Sequence, residues 1–116
     1  MGGSILFTIG GAARSAIPGT TGVAAVNGAI MGMAMTLAKE LAPIRVNVLS
    51  PGLVDTPAYN WMSAEEKEAF FKEMGGNLPV GRVGQPDEIA QAALFSLSNG
   101  FTTGAILDVN GSSKLH

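Results

Sequence analysis

Apolar residues along this chain are spaced differently from one stretch to the next, and the spacing predicts the elements. Residues 4–9, SILFTI, are largely apolar without alternation, the pattern of a short strand buried on both faces. Residues 23–41, VAAVNGAIMGMAMTLAKEL, hold no Pro and are rich in the helix formers Ala, Leu and Met. Val26, Ala29, Ile30, Met33 and Leu37 fall along one side of that helix, and Ala25, Gly32, Met35 and Ala38 cover most of the rest. Only Asn27, Thr36, Lys39 and Glu40 are polar. A surface helix shows one apolar stripe, so this one calls for burial on more than one side, by a core, a partner chain or a membrane. Pro43 ends it, because Pro cannot extend the hydrogen-bond ladder and disfavours helix in the residue before it.

In residues 44–49, Ile44, Val46 and Val48 alternate with Arg45 and Asn47, which predicts a second strand, broken by Ser50-Pro51-Gly52. Strand, long helix, strand is a βαβ unit and implies a parallel pair. Residues 53–62 read as a loop carrying Asp55, Thr56, Tyr59 and Trp61. Ser63 and Glu66 form a capping-box pattern at the start of a helix that stops at Gly75-Gly76. Pro86, Asp87 and Glu88 open a further helix, with Pro in its first turn and two acids at the positive end of its dipole. Asn99-Gly100 closes that helix, and residues 105–109 predict a last strand. The order is β-α-β-α-α-β, an α/β fold with a parallel sheet, read as a single domain over residues 1–116.

Charge changes this picture. Charged residues are 14% of the 116, against roughly 25% in an average globular chain, so part of the surface is expected to be covered by another molecule. The net charge of −2 argues against nucleic acid and anionic lipid as partners. Without cysteine, and with His116 as the only histidine, a zinc site or a Ser/His/Asp triad has no residues to build on, and no metal is expected. The uncharged run between Arg14 and Lys39, which includes Gly28 and Gly32 in a GxxxG pattern, raises a transmembrane alternative. Pro18, Gly19, Gly22 and Asn27 argue against it, and the expectation is a cytoplasmic protein outside the membrane.

Several ordered segments are shared with one family. LAKEL at 37–41, IRVNV at 44–48, PGLVDT at 51–56, LPVGRVGQPDEIA at 78–90, Thr103-Gly104 and DVNG at 108–111 together resemble the C-terminal half of a short-chain dehydrogenase/reductase, essentially end to end. The resemblance implies a partial Rossmann-like fold, the β-α-β-α-α-β half of a doubly wound parallel sheet, in a truncated domain. It implies NAD(P) as the family's cofactor. The family's Gly-rich turn, whose backbone amides hold pyrophosphate, has no counterpart here, so no cofactor is expected for the isolated chain. Gly10-Gly11 and Gly19 with Gly22 read as turns. With LAKEL in register, the family's catalytic Tyr and Lys fall at Val23 and Asn27, and its Ser at Gly10. Valine has no proton to give, and Asn has no charge to depress a neighbour's pKa.

No catalytic residue is therefore assigned. By resemblance, Pro51, Gly52, Val54 and Thr56 would face the nicotinamide if a nucleotide binds. Asn47 takes a structural role. The expected function is that of an oxidoreductase homologue without ordinary reductase activity on its own. The alternatives are a non-catalytic oligomeric scaffold, or a small-ligand or non-redox activity in the former cofactor cavity, with Asp55 and Glu66 as candidate acids. Tyr59, without a Lys four positions on, is assigned to packing. A homo-oligomer is expected through the 23–41 helix, around Gly28, Met31 and Met35, and through the C-terminal strand.

Overall fold

The computed structural model describes residues 2–10 and 17–112. Residues 11–16, among them Gly11 and Arg14, and His116 lie outside the described residues. The observed order is β1 (Ser4–Thr8), α1 (Thr21–Glu40), β2 (Arg45–Pro51), a 3₁₀ turn (Pro57–Tyr59), α2 (Ala64–Gly76), α3 (Pro86–Ser98) and β3 (Ile106–Val109). The strands form one parallel sheet in the order β1-β2-β3. The α/β fold and the β-α-β-α-α-β order hold as read from sequence.

The two faces of the sheet are covered by different helices. Ile5, Phe7 and Ile9 of the first strand region join Val46 and Val48 of β2 beneath α1, with Ala34 fully buried at the centre. Ile30, Met31, Leu37 and Ala38 of α1 and Ile106 of β3 pack around them. α3 covers the opposite face. There Ser4 Oγ donates to the Leu97 carbonyl at 3.3 Å, and Arg45 reaches the last turn of α3. Its Nη1 donates to the Ser96 carbonyl at 2.8 Å and to the Thr102 carbonyl at 3.1 Å, and its Nη2 to the Leu97 carbonyl at 2.7 Å. A strand residue thus satisfies helix-end carbonyls that have no partner within their own helix.

Asn47, two positions along, is 1% exposed. Its Nδ2 donates to the Thr102 carbonyl at 2.9 Å, and its Oδ1 accepts from the Ala105 amide at 3.0 Å. The Val46 amide donates to Thr103 Oγ1 at 3.1 Å, and the Gly104 amide to the Val46 carbonyl at 2.8 Å. Together these bonds tie the segment entering β3 to the middle of β2. The structural role expected of Asn47 is this double link.

The sequence pattern leaves open which side of α1 meets the sheet. Asn27, Ala34, Ile30, Met31 and Leu37 face the sheet, whereas Val26, Ala29 and Met33, on the same apolar side as Ile30 and Leu37 by spacing, are exposed. The reason is that a helix apolar nearly all round carries little periodic bias, and the close approach allowed by Ala34 sets its rotation. Met31, expected at a contact between copies, is partly buried against this chain's own core. α1 is long and apolar enough to cross a membrane by length and composition; in this fold one of its faces lies on the sheet.

Candidate functional site at the strand ends

Parallel α/β sheets place ligands at the C-terminal ends of their strands, and the four residues assigned from sequence converge there. Pro51 ends β2, and Gly52 follows it with its amide donating to the Val109 carbonyl of β3 at 2.9 Å. A Cβ on Gly52 would stand 2.6 Å from Asn110 Cβ and 2.7 Å from its Cα, so the approach of the two chain segments requires glycine. The chain then forms a parallel bridge between Val54 and Gly84, with the Gly84 amide donating to the Leu53 carbonyl and the Asp55 amide to the Gly84 carbonyl. Thr56 caps the 3₁₀ turn, its Oγ1 accepting from the Ala58 amide at 3.3 Å. Pro51, Gly52, Val54 and Thr56 line one open cavity of about 390 Å³, shared with Ala58, Tyr59, Pro86 and Ile89.

Tyr59, which sequence reading assigned to packing, does pack, edge-on against Phe71 at 5.2 Å between ring centroids, and it is also part of this cavity wall. Pro86 and Ile89 enter from the start of α3, and a clamp sets that start. Arg82 donates two parallel hydrogen bonds to Glu88, each 2.8 Å, and Glu88 Oε1 also accepts from the Gln85 amide at 3.0 Å. The guanidinium hydrogen bond, followed by the backbone amide, holds the Glu88 carboxyl down at about 2, and the same pairing raises Arg82. The sequence reading placed Glu88 only at the helix dipole. Glu88 stands at the third helical position and accepts from the amide of the N-cap Gln85, a capping geometry that Gln, outside the usual Ser, Thr, Asp and Asn N-caps, does not announce in sequence.

Two larger cavities lie elsewhere. One, of about 520 Å³, borders the Arg82 side of the clamp and the end of β3. The other, about 510 Å³, contains Asp55, which pairs with Lys67 at 3.2 Å. Neither holds the four assigned residues. Glu66 donates its amide to Ser63 Oγ at 3.1 Å, so Ser63 caps α2 as expected. Among the described residues no cluster of His, Asp and Glu has the makings of a metal site.

The three positions where the family resemblance expects catalytic groups are only partly brought together. Gly10 follows the end of β1, held in place by the Ile9 amide, which donates to the Leu49 carbonyl at 2.9 Å. Asn27 of α1 lies against it: a Cβ on Gly10 would be 3.5 Å from Asn27 Nδ2. Val23 stands 57% exposed one turn earlier on α1. No side chain among the three can donate and take back a proton at neutral pH.

The sequence model of the family described as enoyl-(acyl carrier protein) reductase matches residues 1–112. The chain belongs to the short-chain dehydrogenase/reductase family. It is 42% identical over 98 residues to the 3-oxoacyl-[acyl-carrier-protein] reductase FabG of Chlamydia muridarum, an alignment covering 81% of this chain and 38% of that protein. A small-chain dehydrogenase solved in complex with NADPH superposes with a TM-score of 0.88 at 44% identity, over 97% of this chain and 52% of that one. A short chain oxidoreductase from Pseudomonas aeruginosa PAO1, described as containing an atypical catalytic center, superposes with a TM-score of 0.84 at 29% identity, over 97% of this chain and 48% of that one. The chain therefore spans about two-fifths to one-half of the length of these relatives.

Proposed function

We propose that this chain is the nicotinamide-facing part of a dehydrogenase/reductase, kept as a packing unit and without reductase activity on its own. The observation that carries the reading is a contrast within one end of the sheet. Pro51, Gly52, Val54 and Thr56 share one mostly apolar cavity that can admit a nicotinamide ring, while the register of the 37–41 segment puts Gly10, Val23 and Asn27 where the family's proton-transfer groups are expected. When bound, NAD(P)H supplies hydride. The residues of this chain would orient the ring through the fixed backbone at Gly52 and the Thr56 side chain, and exclude water with Val54, Tyr59 and Ile89. Stabilisation of the oxyanion left on a reduced carbonyl needs a proton donor within hydrogen-bond reach, and Gly10, Val23 and Asn27 supply no acidic hydroxyl for it.

The C. muridarum relative is named for 3-oxoacyl reduction, which makes a 3-oxo ester the reasonable test substrate. Purified chain mixed with NADPH and ethyl acetoacetate should oxidise no NADPH above the buffer rate. Oxidation that Thr56→Ala abolishes would overturn the proposal.

A second reading, a non-catalytic oligomeric module in the cytoplasm, draws on the outward side of α1. Val23, Val26, Met33 and Met35 are exposed there, and Leu94, Phe95 and Phe101 form another apolar group at the end of α3 and beyond it. Apolar exposure on this scale fits a partner surface. Self-association would run through Val26, Ala29 and Met33 rather than Met31. A stable monomer in sedimentation at micromolar concentration would remove this reading.

A further inference from the structure

The segment that carries the 3₁₀ turn and α2 is tied to the rest of the molecule at few places. No α2 residue joins the core cluster beneath α1, and among the described residues Gly75 is the one α2 buries. That glycine fixes the far end of the helix: a Cβ there would stand 2.7 Å from the Val83 amide nitrogen and 2.9 Å from the Arg82 backbone. The near end is held by side chains. Tyr59 meets Phe71 edge-on at 5.2 Å and Phe70 at 6.0 Å between ring centroids. Lys67 Nζ stands 6.0 Å from the centre of the Phe71 ring and pairs with Asp55 Oδ1 at 3.2 Å, the one ion pair of α2 among the described residues.

Asp55 is the fixed member of that pair. Its amide donates to the Gly84 carbonyl at 3.0 Å, beside the Val54–Gly84 bridge, and its neighbours Val54 and Thr56 line the strand-end cavity. Lys67 is the member that belongs to α2. Tyr59 serves both groups, since its ring rests on Phe71 and also lines that cavity. Asp55, Lys67, Phe71 and Tyr59 thus form a continuous path from the end of β2 to the cavity wall. The two charged side chains are 34% and 29% exposed, open enough for dissolved salt to screen them. A pair of this exposure shifts an equilibrium by up to about fivefold, which matters for a helix held by so little else.

We infer that Lys67 is a positioning residue for the strand-end cavity: its ion pair with Asp55 holds α2, and through Phe71 the Tyr59 ring, in the arrangement that walls the cavity. This rests on the proposal above only in that the cavity takes the nicotinamide ring. The consequence is specific. An uncharged ring offers salt nothing to act on, yet its affinity for this cavity falls as salt rises, because salt weakens the pair that places the wall.

The test uses the whole chain, first without ligand and then with free nicotinamide, which is uncharged. Without ligand, amide exchange in the first two turns of α2 should quicken about two- to fivefold in Lys67→Met and Asp55→Asn, and the Tyr59 ring resonances should shift with it. Raising NaCl from about 0.02 M to about 1 M should do the same to the wild type and change neither variant. Lys67→Arg, which keeps the charge, should behave as wild type. Asp55→Lys combined with Lys67→Asp should restore slow exchange, the wild-type Tyr59 resonances and the salt response, whereas either half alone sets like charges together and should exchange fastest. With nicotinamide, the Kd should rise about two- to fivefold in Lys67→Met and with salt in the wild type. Exchange and Tyr59 resonances unmoved in Lys67→Met, a swap that restores nothing, or a measurable Kd equal in wild type and Lys67→Met would overturn the inference. Nicotinamide that fails to bind the wild type refutes the preceding proposal alone, because the ligand-free exchange and Tyr59 resonances still decide what Lys67 holds in place.

Discussion

Replacing Asn47 by Leu tests whether the β2–β3 connection depends on one side chain. The substitution keeps volume and apolar packing but deletes the 2.9 Å bond to the Thr102 carbonyl and the 3.0 Å bond from the Ala105 amide. Each such bond contributes about 1 kcal/mol net. The two backbone groups left behind sit in a part-buried region, which adds a desolvation cost of roughly 1 kcal/mol or more. The expected loss is about 2–4 kcal/mol, which for a domain of this size lowers the melting temperature by about 8–16 °C. Urea titration followed by far-UV circular dichroism should show a lower midpoint with an unchanged slope. Asn47→Asp refines the test. A carboxylate beside the Thr102 carbonyl has its folded pKa raised above the unfolded value of about 3.9. Its protonated form can donate to Thr102 and still accept from Ala105. The deficit of Asn47→Asp should therefore be largest near pH 7 and shrink as pH falls toward 4. A loss under about 0.5 kcal/mol for Asn47→Leu, the range of an ordinary surface change, would refute the reasoning.

Arg45→Met should cost about 2 kcal/mol, since bonds from a charged donor to the Ser96, Leu97 and Thr102 carbonyls are lost together. Arg45→Lys should recover less than half, because one ammonium cannot span the same carbonyls, and amide hydrogen exchange in the last turn of α3 reads both. The Glu88 carboxyl is lowered from 4.5 to about 2 in the folded chain. Its contribution is thus present above pH 4.5 and lost as pH falls through 2. The urea midpoints of wild type and Glu88→Gln should differ above pH 5 and converge toward pH 2; a constant difference would show that the Arg82 clamp does not act on folding.

Strand and helix order was legible because each segment carries its own signal: the unbroken apolar run before Ile9, the Pro43 stop, the Ser63 cap, and the Pro at the start of α3. The pocket residues Pro51, Gly52, Val54 and Thr56 were legible through resemblance, and the collision a Cβ at Gly52 would make with Asn110 gives a physical reason for the glycine. The role of Arg45 was not legible. Alternation in residues 44–49 is the pattern of a strand with one wet face, yet the polar face lies under α3, and only tertiary packing shows which carbonyls Arg45 and Asn47 reach. The rotation of α1 was hidden for the opposite reason, since nearly every side of it is apolar. Asn27 was read as a lost lysine; its burial and its unpaired Nδ2 emerge only once α1 is laid on the sheet. Tyr59 was read for packing, and its place on the cavity wall depends on the 3₁₀ turn that follows Thr56.

The most direct test of packing kept and chemistry lost is a chimera. Residues 1–112 of this chain would replace the matching segment of the NADPH-binding small-chain dehydrogenase that it superposes on. The account predicts a folded protein that binds NADPH but leaves ethyl acetoacetate unreduced, and gains turnover when Gly10→Ser, Val23→Tyr and Asn27→Lys are introduced together. Reduction of the ester by the unsubstituted chimera would contradict it.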